Sequence, residues 1–560
     1  MSGGGLTQVV ASSSNQDVML THNPSKTFFK AAYARYTNFA LQKFILNYEG
    51  NKEIQLTEAS HITFKVKRYA DLLMDCNLCI TLPNIYSPIV CPSEQTNFQW
   101  VPYEFKWIPF IGAQIIQKVT VTCGSQKLQE FSGDYILSQV DRDFTIDKKE
   151  LFYKMIGHVP ELYDPANSGS RVNSYPSCYY TDFLAGTEPS IRSRDLYIPL
   201  HTWFSLKPAM AFPLIALQYN ELVISVTLRP VREWFIVRDV YDEANNYPYI
   251  SPNFSLEYFR MFYFLHNPPD IYLTSRMYTD QRTNWNSNIH ILATYCFLSN
   301  EESRQFALQE HTYLIKQVKK DIFHNLCGPS KIKIDSNNML SSLMFYFQRS
   351  DVHLRNEWHN YSNWPYNYLP NDLKPAPTTG NFIVERLRST GEMEYNEIGP
   401  GVNRDGKLTG IMLTGDFSFD NTFEIMTMFS IMFEGTYREN DFASGVFKWV
   451  EKYTRSNGNS NDGLYCYNFC LNTNPTDSQP SGAVNMSKFN KIELQLNTIV
   501  PALDINAQTM VICDPDSGNI VGINKPTWRI YEYTFDLTVF QETYNMLTFN
   551  SGNCGMAFAT

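Results

Sequence analysis

The chain lacks the features that mark secreted and membrane-spanning proteins. Cysteine is sparse, with 11 in 560 residues, so a disulfide scaffold is not expected. No apolar run approaches the ~20 residues that span a bilayer. The first ten residues have neither the charged nor the apolar part of a secretory signal. We therefore expect synthesis in the cytosol, with reduced thiols and no membrane insertion.

Positive charge is also in short supply. Lys and Arg total 46 against 56 Asp and Glu, which gives a net charge of -10, and the basic residues form no run. A protein that holds DNA by its phosphates needs a basic surface to displace counterions. The sequence therefore predicts no direct nucleic acid binding.

Aromatic side chains are abundant instead. They make up 15% of the chain, with 38 Phe and 35 Tyr, and such residues favour strands over helix interiors. A chain of 560 residues is too long for one core and long enough for several domains. We expect an all-β protein with more than one domain.

Short strand-like runs recur between turn-rich stretches, as in a β-sandwich. After Glu221, alternation places Leu222, Ile224, Val226 and Leu228 on one apolar face, which predicts a half-buried antiparallel strand. Residues 220–226 resemble 490–496, as a duplicated sandwich would leave them. Ser299 and Glu302 form a capping-box pattern that predicts one short helix, with the Ser299 side chain accepting from the Glu302 amide. The other predicted strands are 62–67, 72–82, 115–122, 289–298, 343–348, 408–419, 465–471, 492–496 and 528–538.

Residues 194–230 are the most informative segment, RDLYIPLHTWFSLKPAMAFPLIALQYNELVISVTLRP. A Pro and aromatic bend leads into the alternating strand. The segment resembles the end of the first jelly roll in the major capsid proteins of nucleocytoplasmic large DNA viruses, of the giant-virus type. Further family-like motifs follow in the family's order, at 23–39, 357–363, 479–487 and 544–558.

The resemblance implies an all-β fold of two tandem eight-stranded antiparallel jelly rolls, a double jelly roll with long inserted loops. The expected division is an N-terminal arm at 1–25, a first jelly roll at 26–232, a linker at 233–255 and a second jelly roll with C-terminal segment at 256–560. Loops at about 140–190 and about 365–405 match nothing recognised in the family. They are expected to face outward.

The function implied is structural. In the family, homotrimers form pseudo-hexagonal capsomers that tile an icosahedral shell. The implied partners are neighbouring capsomers, minor capsid proteins beneath the shell and, through them, an inner viral membrane. The implied location is the virion, after assembly in the host cytoplasm.

Three alternatives stay open at this point. One is a capsid-like paralogue that shapes a viral membrane. Another is a double jelly-roll carbohydrate-active enzyme, which would need paired carboxylates of shifted pKa, and the sequence shows no candidate pair. The third is a lectin, with Trp100, Trp107 and Trp203 as sugar platforms, although such residues are more often core aromatics.

No catalytic, cofactor or metal residue is predicted. Residues 401–408 nearly spell a phosphate-binding loop, but Leu408 stands where the Mg²⁺-binding hydroxyl is needed. Cys76 and Cys79 have zinc-knuckle spacing, yet three residues along a strand they point to opposite faces. Cys466 and Cys470 would lie roughly 13 Å apart along a strand, too far to share an ion.

The remaining polar motifs are interpreted as structural. Residues 514–518 suggest a hairpin turn between strands rather than a calcium loop. His201, His311 and His359 are expected in packing or structural hydrogen bonds. The Asn-x-Ser sequons at Asn253, Asn360 and Asn485 are expected to be chance occurrences.

Overall fold

A computed structural model of the chain describes residues 37–50, 53–90, 101–172, 174–178, 180–182, 186–241, 247–268, 278–364, 382–386, 393–397, 422–477, 479–501, 510–513, 520–524 and 533–558. The strands of the first half are β1 (Ala40–Leu46), β2 (Ser60–Lys65), β3 (Leu72–Leu82), β4 (Ile89–Val90), β5 (Val101–Pro102), β6 (Phe105–Trp107), β7 (Ile116–Cys123), β8 (Gln126–Phe131), β9 (Tyr180–Asp182), β10 (Gly186–Thr187), β11 (Arg194–Pro199), β12 (Phe212–Pro213), β13 (Leu222–Leu228), β14 (Phe235–Arg238), β15 (Tyr249–Ile250) and β16 (His290–Phe297).

The second half continues with β17 (His311–Leu326), β18 (Pro329–Ile334), β19 (Met339–Arg349), β20 (Phe382–Arg386), β21 (Met393–Glu397), β22 (Met426–Phe433), β23 (Thr436–Ala443), β24 (Leu464–Asn468), β25 (Val484–Asn485), β26 (Ile492–Thr498), β27 (Met510–Cys513), β28 (Ile520–Asn524), β29 (Phe535–Asn550) and β30 (Asn553–Met556). The helices are short: α1 (Ile111–Gln114), α2 (Gly133–Asp143), α3 (Ile146–Met155), α4 (Pro160–Tyr163), α5 (Trp203–Leu206), α6 (Phe262–Leu265), α7 (Asn300–Leu308) and α8 (Glu451–Arg455), the last preceded by a π-helical turn at Val446–Val450. Among the helices of the described ranges, none is long and apolar enough to cross a membrane.

Two antiparallel sheets form the first jelly roll, in the orders β1-β16-β3-β11 and β2-β13-β7-β8. Strand β13 carries the alternation read from the sequence, and its register with β2 and β7 fixes which face is buried. Leu222, Ile224, Val226 and Leu228 are all buried in the first core, as predicted. Each sheet hides one apolar face against the other, which is the physical basis of a sandwich.

The second jelly roll repeats this arrangement. Its sheets have the orders β17-β29-β19-β24 and β18-β26-β22-β23, and a second core of Leu, Ile and Phe side chains lies between them. Position by position, β1 corresponds to β17, β8 to β23, β13 to β26 and β16 to β29. The sequence echo between 220–226 and 490–496 therefore falls on equivalent strands, and the two eight-stranded jelly rolls are confirmed.

Strand β16 lies elsewhere than expected. The expected division placed residues 256–560 in the second jelly roll, but β16 pairs with β1 on one side and β3 on the other, inside the first. A period-2 pattern reports that a strand exists, and it carries no information about partners more than 200 residues away. Its position had been predicted to within one residue at each end, whereas its sheet had not.

The expectation of an outward loop at about 140–190 is wrong for its first part. Helix α2 is buried along its whole length, and Phe152 of α3, Leu162 of α4 and Ile156 between these helices are buried as well. Of the other loop, at about 365–405, the described part is the hairpin β20–β21. The predicted strand 408–419 and the loop 401–408 lie outside the described residues.

The predicted helix after Ser299 is present as α7, but its cap differs. The Ser299 side chain makes no capping hydrogen bond. Instead, Asp71 accepts from the backbone N–H of Leu298 at 2.9 Å and from the Ser303 hydroxyl at 3.2 Å. The helix start is therefore fixed by a carboxylate distant in sequence, which the local pattern could not reveal.

Candidate functional site

Buried charges gather where the two jelly rolls lie side by side. We call this contact the junction: β8 and α2 of the first jelly roll against β17, β19 and β29 of the second. The edge strands β8 and β17 exchange side-chain hydrogen bonds. Gln129 donates to the carbonyl of Lys316 at 3.3 Å, and Gln317 donates to the carbonyl of Leu128 at 2.9 Å. These bonds occupy backbone groups that a sheet edge would otherwise leave unpaired.

Arg142 is the centre of the junction. It lies on the last turn of α2, fully buried, and its guanidinium donates to Asp143 at 2.7 and 2.9 Å. The same guanidinium donates to both carboxylate oxygens of Glu542 on β29, at 2.9 and 3.1 Å. Glu542 also accepts from the hydroxyls of Tyr135 at 2.8 Å and Ser342 at 2.6 Å. A buried ion pair of this kind is tolerated because nearly every polar atom has a partner.

The electrostatics of the junction keep Glu542 charged. Burial alone would raise its pKa, but the positive charges of Arg142 and Lys316 outweigh burial and lower the pKa to about 2. Burial raises the pKa of Asp143, even though Arg142 and the Thr473 hydroxyl stabilise its ionised form. The same guanidinium therefore stabilises the charged form of both carboxylates, but only the pKa of Glu542 ends below its usual value.

A second pair extends the junction along α2. Asp134, at the start of the helix, contacts Lys320 of β17 and accepts from the Tyr346 hydroxyl at 2.9 Å. Burial opposes its ionisation, but Lys320 and Arg229 outweigh burial and hold the pKa of Asp134 well below its usual range. Both ends of α2 are therefore tied by charge to the second jelly roll.

Asp141 faces a different environment on the same helix. It contacts Tyr153, accepts from Asn461 at 2.9 Å and lies 3.8 Å from Lys149. Burial is the largest influence and raises the pKa of Asp141 to about 6, although Lys149 favours the charged form.

The segment after β19 adds a further contact between the jelly rolls. The Asn356 side chain donates to the backbone carbonyls of Arg232 at 2.7 Å and Phe235 at 2.8 Å. The Arg229 guanidinium lies over the Trp358 ring, 4.4 Å from its centroid. Residue 358 belongs to the family-like motif 357–363, so that motif takes part in this further contact between the jelly rolls.

The arrangement suits a mechanical role better than a chemical one. A catalytic pair of carboxylates needs a cleft in which a substrate can reach them. The side chains of Arg142, Asp143 and Glu542 are all inaccessible to solvent. What the junction can do is fix the relative orientation of the two jelly rolls.

The histidines singled out from the sequence have structural roles. His201 is buried and its Nδ1 donates to Gln139 at 2.8 Å, and burial lowers its pKa to about 3. His311 is hydrogen bonded to the Phe306 carbonyl at 2.7 Å. Asn461 donates to His359 at 3.0 Å. Packing or a structural hydrogen bond was the predicted role for all three.

The candidate metal and sugar residues are buried. Cys76, Cys79, Cys466 and Cys470 are buried free thiols. In the described parts of the chain, no three His, Cys, Asp or Glu side chains are grouped closely enough to hold a metal ion. Trp107 and Trp203 belong to the first core, which favours the core interpretation over sugar platforms. Trp100 lies outside the described residues.

The remaining motifs fall partly within the described ranges. Strands β27 and β28 pair antiparallel, as the predicted hairpin requires, while the turn at 514–518 lies outside the described residues. Asn485 accepts from the Ser487 backbone N–H at 3.1 Å and so forms a local turn. Asn360 is buried, and the third sequon begins at the exposed Asn253.

Sequence reasoning missed the junction. Arg142 and Glu542 are 400 positions apart, so no spacing rule connects them. A weaker signal was present in each segment. Glu542 lies two residues after the apolar pair Val539-Phe540 of β29, and 141–143 read Asp-Arg-Asp directly after the apolar Val140 of α2. A charge close to apolar residues suggests a buried partner.

Both halves of the chain match one protein family. The sequence profile described as "Major capsid protein N-terminus" matches residues 27–298, and that described as "Large eukaryotic DNA virus major capsid protein" matches residues 302–555. The major capsid protein of Phaeocystis pouchetii virus is 24% identical over 592 residues, covering 99% of each chain. That of Paramecium bursaria Chlorella virus 1 is 22% identical over 560 residues, again covering 99% of each.

Solved structures agree on the fold. A quasi-atomic model of the PBCV-1 virus capsid superimposes with a TM-score of 0.57 at 18% identity, covering 95% of this chain and 100% of that one. The Faustovirus major capsid protein gives a TM-score of 0.57 at 10% identity, covering 96% and 94%. With both halves matched in sequence and both jelly rolls in place, the chain belongs to the family of large eukaryotic DNA virus major capsid proteins.

Proposed function

We propose that three copies of this major capsid protein associate into a homotrimer, in which six jelly rolls form a pseudo-hexagonal capsomer of an icosahedral shell. The junction is the observation that carries the proposal. It holds two jelly rolls of the same strand order side by side through buried ion pairs. One chain thus supplies two similar blocks in a fixed orientation, and three chains supply six.

The physical chemistry favours a rigid block. Separating the jelly rolls would break the buried pair of Arg142 and Glu542. For comparison, removing one partner of such a buried pair costs about 3–5 kcal/mol. A shell subunit needs this stiffness, since a hinge between the jelly rolls would make the geometry of its contacts with neighbouring capsomers variable. We assign no catalytic, cofactor or metal role to any residue.

The finer associations belong to the same proposal. The trimers contact neighbouring capsomers in the shell, minor capsid proteins beneath it and, through those proteins, an inner viral membrane. Assembly takes place in the host cytoplasm. The net charge of -10 supports a shell that does not bind nucleic acid directly. We also place the end of the first jelly roll after Phe297, because β16 completes its sheet.

The test is the mass of the purified protein in solution. Light scattering after size-exclusion chromatography should give three times the chain mass at micromolar concentration, where an obligate oligomer stays associated. Electron microscopy of the same fraction should show particles with hexagonal outlines. A monomer under these conditions would contradict the proposal.

A further inference from the structure

We propose that β23 and residues 446–455 of one copy dock on β1 of the next copy. We call β23 with residues 446–455 the docking edge, and β1 the receiving edge. The inference rests on the proposed trimer and identifies its contact surface.

The internal repeat supplies the first argument. Within the chain, the first jelly roll meets the second through β8 and the following helix α2, which lie against β17. The second jelly roll has the same succession, because β23 corresponds to β8 and is followed by the helical residues 446–455. The strand that corresponds to β17 is β1. Repeating the internal contact therefore brings the docking edge of one copy against the receiving edge of another.

The edge formed by β8 and α2 and the docking edge differ in burial. Helix α2 is buried at every residue, because it lies between α1 and β7 of its own jelly roll and the charged partners Glu542 and Lys320 of the second. Its counterpart exposes large side chains, among them Trp449 at 63% and Tyr453 at 90%. Tyr437 and Phe442 of β23 are exposed as well. Clustered exposed aromatics mark protein contacts, and Trp and Tyr contribute strongly to binding when a partner buries them.

The receiving edge is exposed in the same way. Strand β1 pairs with β16 on one side, and the described residues place no strand on its other side. Leu41 and Ile45 of this strand are 50% and 56% exposed, and Phe39 precedes them in an exposed position. An unpaired strand edge with apolar side chains is unfavourable in a free protein, so a neighbour is expected to cover it.

Polar side chains on the two edges are of the kinds that the junction uses. At the junction, Gln317 and Lys320 of β17 contact β8 and Asp134. The receiving edge presents Gln42 and Lys43, and the docking edge presents Asp441; all three are exposed. The opposite charges of Lys43 and Asp441 favour association of the two edges.

The symmetry follows from the two different edges. A contact between unlike surfaces is heterologous, and repeated copies form a ring if the rotation closes. Each copy contributes one docking edge and one receiving edge. If each contact between copies has the same geometry as the contact between the two jelly rolls of one chain, three chains place six jelly rolls around one axis.

Single substitutions on the two edges test the proposal. Tyr453→Glu would place a charge on the docking edge, and Leu41→Glu on the receiving edge. Each should weaken trimer formation by about 100-fold or more, because a buried contact of this type contributes at least a hundredfold in affinity. Leu308→Glu is the matched control, since Leu308 is 86% exposed on α7 and belongs to neither edge. The control should stay trimeric.

The measurement is mass by light scattering across a dilution series, together with thermal melting of each variant. The melting profile should show a folded chain in all three, because these side chains are exposed in the single chain. If a glutamate variant does not fold, Tyr453→Ser and Leu41→Ser take its place and should still weaken the trimer.

Mixing the two variants tests the pairing directly. The Leu41→Glu chain keeps an intact docking edge, and the Tyr453→Glu chain keeps an intact receiving edge. The mixture should therefore form one-to-one heterodimers in native mass spectrometry, while each variant alone stays monomeric. Absence of heterodimers would show that the two edges do not meet.

The possible failures can be told apart. Trimers that persist in both edge variants overturn the assignment of the edges and leave the proposed trimer standing. A wild-type protein that is monomeric at micromolar concentration overturns the proposed trimer itself.

Discussion

Arg142 shows how much one residue can contribute to the arrangement of the whole chain. Replacing it by Met should destabilise the protein by about 3–5 kcal/mol, because Glu542 would be left buried without its partner. Urea unfolding would measure the loss as a lower midpoint. The double variant Arg142→Met with Glu542→Gln should recover part of it, since it removes one of the two buried carboxylates that lose Arg142, while Asp143 remains.

Arg282→Met is the matched control for that loss. Arg282 pairs with Asp280 on the surface, with its own side chain 76% exposed. Exposed pairs contribute about 0–1 kcal/mol, so the control should unfold close to the wild-type midpoint. A similar loss in both variants would show that the junction is no more important than a surface pair.

Asp141 predicts a pH dependence of stability. Its pKa is about 6 in the folded chain and 3.8 without the surrounding structure. A carboxyl whose pKa is raised by folding stabilises the folded state fully below pH 3.8, and this stabilisation disappears as the pH rises through about 6. Asp141→Asn removes the effect. The stability of the variant relative to wild type should therefore rise by roughly 2 kcal/mol between pH 4 and pH 7.

Denaturant unfolding of both proteins at a series of pH values would check this. Groups that titrate equally in both proteins cancel in the difference. A difference that stays constant between pH 4 and pH 7 would contradict the raised pKa of Asp141.

At the scale of an element, α7 shows a helix start governed from outside its own sequence. Asp71→Ala should destabilise the protein by about 1 kcal/mol, because the Leu298 N–H and the Ser303 hydroxyl lose their acceptor. Ser299→Ala should change stability by less than about 0.5 kcal/mol, as its side chain makes no cap. Amide hydrogen exchange in α7 would separate the two. Faster exchange in Ser299→Ala than in Asp71→Ala would show that Ser299, and not Asp71, fixes the start of α7.

The elements also show what the sequence could predict. The bounds of β3 were predicted to the residue, and the buried face of β13 was predicted from alternation alone. Both depend on neighbours within the strand. The sheet that contains β16 and the partner of Arg142 depend on contacts across 200 to 400 positions, for which one sequence holds no local signal. Burial of α2 was missed for the same reason, because part of its cover comes from the other jelly roll.

At the scale of the whole molecule, the charge balance predicts no affinity for DNA. Fluorescence anisotropy with a labelled duplex at 150 mM salt should show no saturable binding, because a chain of net charge -10 lacks the basic surface that releases counterions. A basic DNA-binding protein is the positive control. Binding that weakens steeply with added salt would contradict the prediction and point to a phosphate-binding surface.

The position of β29 in the chain has a consequence for biosynthesis. This strand lies between β17 and β19 in its sheet and carries Glu542, yet it leaves the ribosome after all other long strands of the described ranges. The first jelly roll has all eight strands once β16 has emerged. The second must wait until β29 has been synthesised, and Arg142 remains without Glu542 during that time. Domains generally fold as units in the order of synthesis. Docking of the two halves is thus delayed until β29 has emerged, so a chain that stops before this strand has no assembled junction to bring to a growing shell.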